Sequence, residues 1–133
     1  MRNSYLIDSN IIGNQFDFFR FPGFAQSILE AATAAKQTVS LGELFTLATA
    51  PTMAANFTGP VDIVDGLNDY PFCAGNCAYP VDQAQASIAK AFPVAAAGSQ
   101  SILLPVTGHG VNLHYSAPQA YSQINAFLAA HGY

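Results

Sequence analysis

The chain has 133 residues, of which 51% are hydrophobic and only 9% are charged, and its formal net charge is −4. This length is that of one ordinary domain, and four basic residues in all are too few to build the positive surface that nucleic-acid binding requires. We therefore expect no nucleic-acid partner. No apolar run reaches the about 18–20 residues of a membrane-spanning helix, and the N-terminus lacks the apolar core of a signal peptide, so no membrane segment is expected either.

The low share of charged residues, far below the roughly 25% typical of soluble domains, has two explanations. Core segments are over-represented if the chain is a piece of a larger protein. Alternatively, the chain is a secreted domain whose polar surface is made of Ser, Thr, Asn and Gln. Both explanations can hold at once.

A first helix is predicted after the turn at residues 22–23. Apolar residues recur there at spacings of three and four, as the inner face of an amphipathic helix requires. That face comprises Phe24, Ile28, Ala31 and Ala35. An aromatic cluster precedes it, made of Phe16, Phe18, Phe19 and Phe21.

A second helix is predicted to begin at Ser40. Glu43 stands three residues later, which is the spacing of a capping box, and Pro51 should end the helix. Its inner face would be Leu41, Leu44, Phe45 and Ala48. Ala, Asn, Thr, Gly and Pro then cluster in residues 52–60, which predicts a break in the chain.

After this break the pattern changes to strand, helix, strand and helix. Residues 61–64 and 102–104 predict two strands, the second a short apolar run typical of a buried parallel strand. Asp82 should cap the helix between them, and Ser116 should open the last helix. The inner faces would be Val81, Ala84, Ile88 and Phe92 in the first helix, and Ala120, Ile124, Phe127 and Leu128 in the second. Strands joined by a helical crossover are expected to be parallel and connected with a right-handed turn.

An acid and a histidine follow the two predicted strands. Asp69 follows the first in GLND, and His109 follows the second in TGHG. The carboxyl ends of parallel strands lie at one edge of a sheet, so both side chains can meet there. A carboxylate that accepts a hydrogen bond from imidazole Nδ1–H fixes the tautomer and stabilises the imidazolium, which makes His109 a candidate general base.

Two cysteines, Cys73 and Cys77, follow the acid in FCAGNC. Gly75 between them relaxes the backbone, so a disulfide-closed loop is favoured, with free thiols as the alternative. Asn56 begins the tripeptide Asn-Phe-Thr, a possible N-glycosylation acceptor. Together these features favour a secreted or extracellular protein whose signal peptide is not in this sequence.

Two segments resemble the α/β-hydrolase family, and in particular secreted fungal members of it. PVDIVDGLNDYPFC is similar to the strand and acid-bearing loop, and PVTGHGVNLHYSAPQAYSQINAFLAAHG is similar to the final strand, histidine loop and last helix. The resemblance implies an α/β fold in which residues 1–58 are a helical lid or cap and residues 59–133 are a β-α-β-α unit. It also implies that Asp69 is the triad acid and His109 the triad histidine.

The family's nucleophile motif, Gly-x-Ser-x-Gly, is absent from this sequence. We therefore expect the C-terminal part of a serine hydrolase, which acts on a small-molecule ester or amide in the intact parent without a cofactor or metal, and which is inactive alone. Its partner would be the missing N-terminal half or a second copy. The alternative is a non-catalytic interaction module, or pseudoenzyme fragment, that associates through an open sheet edge.

Several residues remain as weaker candidates. Asp65 is a second possible acid and His114 a second possible base, and Asp69, His109 and His114 together are a possible metal site of unusual spacing. His131 is expected at the negative end of the last helix dipole. Asp62 is unexpected inside a buried strand, because an unpaired buried carboxylate is costly. Ser99 and Ser116 are the hydroxyls to inspect first for a nucleophile.

Overall fold

The computed structural model describes residues 5–49 and 52–133. It has an α/β fold whose sheets are an antiparallel pair and a parallel pair of strands. The strands are β1 (Tyr5–Leu6), β2 (Val39–Ser40), β3 (Asp62–Gly66) and β4 (Gln100–Leu104). The helices are α1 (Ile11–Phe18), α2 (Gln26–Ala35), α3 (Leu41–Thr46), α4 (Tyr70–Cys73), α5 (Gln83–Ala91) and α6 (Ala117–Ala130), with 3-10 turns at Leu47–Thr49 and Val111–Leu113.

The parallel pair β3–β4 is the centre of the second part of the chain. Asp62 pairs with Gln100 and Gly66 with Leu104, so the register is continuous along both strands. Successive side chains of β3 point to opposite faces. On one face Ile63 lines a cavity with Ala84 of α5, and on the other Asp62 lines a cavity with Ile124 of α6. The predicted strand–helix–strand–helix order and the parallel pairing are confirmed.

Local capping explains where α5 begins. Asp82 caps α5 by accepting the Gln85 N–H at 2.8 Å, as the sequence predicts. On the predicted inner face of α5, Ala84 and Ile88 are buried, but Val81 is exposed. On the last helix, α6, Ala120 is buried, while the other members of its predicted inner face (Ile124, Phe127 and Leu128) keep part of their surface in solvent.

A small apolar core holds the first part of the chain together. It consists of Phe19, Phe24 and Leu29, with Ile11, Phe18 and Ala32 packed against it. The predicted inner face of α2 is therefore wrong in phase, since Ile28, Ala31 and Ala35 are exposed. The face is rotated by one residue because Leu29, rather than Ile28, fills the space beside the two phenylalanines.

The second predicted helix begins as expected but buries little. Ser40 accepts the Glu43 N–H at 3.0 Å, and α3 continues as a 3-10 turn to Thr49. Leu41 is half-buried, whereas Leu44 and Phe45 are exposed, so the predicted inner face is not buried. Pro51, expected to end this helix, and the side chain of Ala48 lie outside what the structure describes.

The two parts of the chain share hydrogen bonds near the carboxyl end of the sheet. Gly110 donates its N–H to the carbonyl of Phe18 at 2.8 Å, and Tyr115 donates to Gly23 at 2.7 Å. The division into residues 1–58 and 59–133 stays a prediction. Within the described ranges, no helix has the length and hydropathy needed to cross a membrane.

Candidate active site

Asp69 lies in the turn that follows β3 and is the N-cap of the short helix α4. Its Oδ1 accepts the N–H of Phe72 at 2.7 Å, and its own N–H donates to the carbonyl of Gly66 at 3.1 Å. The residue is fully buried, with 0% of its surface exposed. Capping therefore fixes the position of the carboxylate and leaves its other oxygen available.

That second oxygen, Oδ2, lies 2.7 Å from Nδ1 of His109. A carboxylate can only accept, so Nδ1–H is the donor, and a neutral His109 then has the tautomer with a bare Nε2. The two residues follow the carboxyl ends of β3 and β4, where the sequence places them. Their juxtaposition is observed, whereas their role as catalytic acid and base stays a prediction.

The outer side of His109 faces solvent between two aromatic rings. Its side chain is 31% exposed, and the centroids of Phe72 and Phe18 lie 5.0 Å and 5.6 Å from the imidazole. Among the described residues, Nε2 has no hydrogen-bond partner. An imidazole held in this tautomer, with Nε2 open, can take a proton from an incoming hydroxyl or water.

Close backbone approach brings the acid turn and the histidine loop together. A Cβ on Gly66 would lie 2.4 Å from the carbonyl oxygens of both Thr107 and Gly108. A Cβ on Gly108 would lie 2.9 Å from the carbonyl oxygen of Phe18. Val106 adopts a φ of +52°, which is unusual for a β-branched residue and marks a strained turn before His109.

Asp65, the alternative acid, lies beside Asp69 but does not contact His109 through a hydrogen bond. Burial, and then the negative charge of Asp69, raises the pKa of Asp65 to about 6. The N–H of Gly66, which donates to Oδ1 at 2.7 Å, opposes this increase. Asp69 is therefore the carboxylate that orients the histidine, with a second carboxyl, whose pKa is raised, next to it.

His114, the alternative base, is buried and serves the backbone. Its Nε2 accepts the N–H groups of Arg20 at 3.0 Å and Gly108 at 3.1 Å, and its Nδ1–H donates to the carbonyl of Gly110 at 2.8 Å. Burial lowers the pKa of His114, against the effect of the Gly110 hydrogen bond. Since both ring nitrogens are engaged, His114 is not available as a base or as a metal ligand with Asp69 and His109.

A disulfide closes the acid loop, as predicted. Cys73 and Cys77 are bonded, with their Cα atoms 4.9 Å apart. Gly75 donates its N–H to the carbonyl of Asp69 at 2.8 Å within the same loop. Cys77 lies 3.7 Å from Asp65, but a disulfide sulfur carries no proton, so this is a contact and these residues are not a thiolate metal site.

The two serines considered as nucleophiles lie elsewhere. Ser99 precedes β4, at the opposite end of the sheet from His109, and its hydroxyl donates to the carbonyl of Ala96 at 2.8 Å. The Ser116 hydroxyl lies 2.7 Å from the hydroxyl of Thr107. In the described ranges, neither is hydrogen-bonded to His109.

The remaining predicted residues lie away from this centre. Asn56 is exposed in a turn, so its glycosylation stays a prediction. His131 follows α6, and its Nδ1 bonds the carbonyl of Phe127 at 2.8 Å, as expected for a histidine at a helix C-terminus. Phe18 and Phe72 flank His109, and the sequence did not predict this position for either, because an aromatic residue carries no signal of which loop it will face.

No family model matches the sequence, and neither the curated proteins nor the solved structures include a match to it.

Proposed function

We propose that Asp69 and His109 are the acid and base of a hydrolase of the α/β-hydrolase class, which cleaves an ester or amide of a small molecule. The 2.7 Å contact between His109 Nδ1 and the buried Asp69 carboxylate supports this proposal above all. The resemblance of the two loop sequences to that family supports it independently. The nucleophilic hydroxyl then comes from polypeptide other than the described residues.

In the proposed reaction the serine hydroxyl attacks the carbonyl carbon of the substrate while Nε2 of His109 takes its proton. Asp69 holds the tautomer and stabilises the imidazolium. The protonated Nε2 then gives its proton to the leaving alkoxide or amine, which leaves an acyl-enzyme. Water attacks this acyl-enzyme in the same way and releases the carboxylic acid. Donors for the oxyanion, which supply a large share of the rate, are also needed from outside the described residues. The described residues alone are therefore expected to be catalytically silent.

The test is to express the chain together with its flanking coding sequence and to measure hydrolysis of p-nitrophenyl butyrate. We expect activity that needs a Gly-x-Ser-x-Gly serine and that His109→Ala abolishes. His131→Ala is the matched control, because His131 lies away from Asp69, and it should retain activity. Saturable turnover by the 133-residue chain alone, lost in His109→Ala, would show that a nearby nucleophile has been overlooked.

A second candidate function is that of a non-catalytic interaction module. The outer edge of β3, which no strand of the described residues pairs with, favours it, because an unpaired strand edge is a template for strand addition. A longer product without a Gly-x-Ser-x-Gly segment and without esterase activity would favour this candidate over the hydrolase.

For localisation we propose an extracellular protein. The Cys73–Cys77 disulfide is compatible with an oxidising compartment, and the exposed Asn56 is accessible for glycosylation. Alkylation of both cysteines in freshly isolated protein, without any reductant, would contradict this.

A further inference from the structure

The outer edge of β3 presents backbone groups that no strand of residues 5–49 or 52–133 pairs with. Gln100 donates to the carbonyl of Val61 and Leu67 donates to the carbonyl of Leu104, both at 2.8 Å. In a parallel pair of strands, this hydrogen-bond pattern means that the N–H and C=O groups of the odd-numbered β3 residues point toward β4. The N–H and C=O groups of Asp62 and Val64 therefore face away from β4, and no backbone group among the described residues pairs with them.

The side chain of Asp62, on the same strand, also lacks a hydrogen-bond partner among the described residues. Both of its carboxylate oxygens are buried, and neither has a hydrogen-bond partner in the part of the chain that the structure describes. Removing a carboxylate from water without a partner is costly, so such a group calls for a donor or a cation. Its side chain lies on the α6 face of the strand, together with Val64.

A trough beside this carboxylate is otherwise apolar. The cavity measures about 420 Å³ and is lined by Asp62, Val64, Ile124, Phe127 and Leu128. One acidic group among four apolar side chains suits a ligand with an aliphatic stem and a cationic head. Arg and Lys have this form, since they lay their methylene groups along apolar surface and keep the charge at the tip.

We propose that the outer edge of β3 and the trough below it bind an extended polypeptide segment, which adds as a strand and places an Arg or Lys side chain against Asp62. Side chains that share a face on neighbouring strands lie roughly 5 Å apart, so a basic residue opposite Asp62 can reach its carboxylate. This inference rests on the second candidate function, strand addition at β3, and not on a catalytic role of Asp69 and His109.

Charge argues against a second copy of this chain as the occupant. Antiparallel pairing of two β3 strands about Val64 would set Asp62 opposite Gly66 of the second copy. Both carboxylates would then stay unpaired. The chain also has only four basic residues and a net charge of −4, so a copy offers few cations for this site.

The test uses a synthetic peptide and NMR titration of the ¹⁵N-labelled chain. The probe is an acetylated and amidated seven-residue peptide of alternating Thr and Val with one central Arg. We expect shifts of the Asp62 and Val64 amides and of α6 residues along the trough. Replacing the Arg with citrulline, which keeps the shape but removes the charge, should weaken binding about tenfold. N-methylation of alternate peptide amides should abolish binding, because it removes the donors of the new ladder.

Protein variants give a matched comparison. Asp62→Asn should bind the Arg and citrulline peptides equally, whereas Glu30→Gln, an equal charge change on the exposed side of α2, should keep the preference for Arg. Equal binding of both peptides by the unmodified chain would overturn the proposal, as would tight binding of the N-methylated peptide. Dimerisation through β3 that the peptide cannot displace would overturn the assignment of the occupant. The peptide arms do not depend on the folding of any variant.

Discussion

Residues 41–47 and residues 105–116 differ in how the rest of the molecule holds them. The first segment begins at a well-formed Ser40 cap, yet Phe45 is 78% exposed and Leu47 62% exposed. The second contains Thr107 and His114, both buried, and His114 accepts a hydrogen bond from the backbone of Arg20 in a distant part of the chain. A local cap is thus sufficient to start a helix, whereas burial of a face depends on partners elsewhere in the chain.

The strongest test of this contrast adds a Cβ atom against the second segment in one variant and within the first segment in the other. Gly66→Ala puts a Cβ 2.4 Å from two carbonyl oxygens of the histidine loop. We expect a loss of about 3 kcal/mol in the free energy of unfolding by urea, as for severe overpacking. The control is Gly42→Ala in α3, whose new Cβ would meet, within the part of the chain that the structure describes, only the Ser40 hydroxyl at 3.8 Å. If both variants lose the same stability, the contrast is wrong.

His114→Phe tests the hydrogen bonds that join the two parts of the chain. Phenylalanine fills the space beside Phe19 and Phe24 but leaves the N–H groups of Arg20 and Gly108 without an acceptor. The expected loss of stability is about 2 kcal/mol at neutral pH.

The pH dependence of His114 distinguishes this effect from lost packing. Because burial lowers its pKa, the stability that His114 provides is present above its unfolded pKa of 6.5 and is lost as the pH falls through the lower folded pKa. Urea unfolding across this range should show that loss in the unmodified chain and not in His114→Phe. The control His131→Phe should still lose stability as the pH falls. If it does not, the loss cannot be assigned to His114.

Local signals account for much of the fold that was predicted. Asp82, Ser40 and the apolar run of β4 act within a few residues, so their helices and strand were predictable. The inner face of α2 was not, because Ile28 and Leu29 are equally apolar and only the position of Phe19 and Phe24 decides between them. In the site, the Asp69–His109 contact followed from topology, whereas the hydrogen bond from Arg20 to His114 Nε2 joins residues that are distant in sequence and could not be predicted.

Asp65→Asn should stabilise the chain, and by less than His114→Phe destabilises it. The folded pKa of about 6 lies above the ordinary value of 3.8, so the contribution of Asp65 to stability is full below pH 3.8 and lost as the pH rises through 6. Asparagine cannot ionise, so the variant should be more stable by about 1 kcal/mol at alkaline pH, after allowance for solvent screening. This gain should disappear in acid, and an equal gain at both pH values would exclude ionisation as its cause.

Phe45→Ser should change least of all. The side chain makes little buried contact, so we expect a change within about 0.5 kcal/mol in urea unfolding. Phe24→Ala is the comparison, since Phe24 is 6% exposed and packs against Phe19. Its expected cost is about 3 kcal/mol. A large loss in Phe45→Ser would mean that α3 is covered by a surface outside the described residues.

The tautomer of His109 tests the central claim most directly. In the ¹⁵N-histidine-labelled chain above the imidazole titration, we expect Nδ1 to carry the proton and Nε2 to be bare, with a downfield Nδ1–H resonance. Asp69→Asn should abolish that resonance, while Asp65→Asn should leave it in place. A proton on Nε2 of His109 in the unmodified chain, with Nδ1 bare, would contradict an acid–base pair at this site.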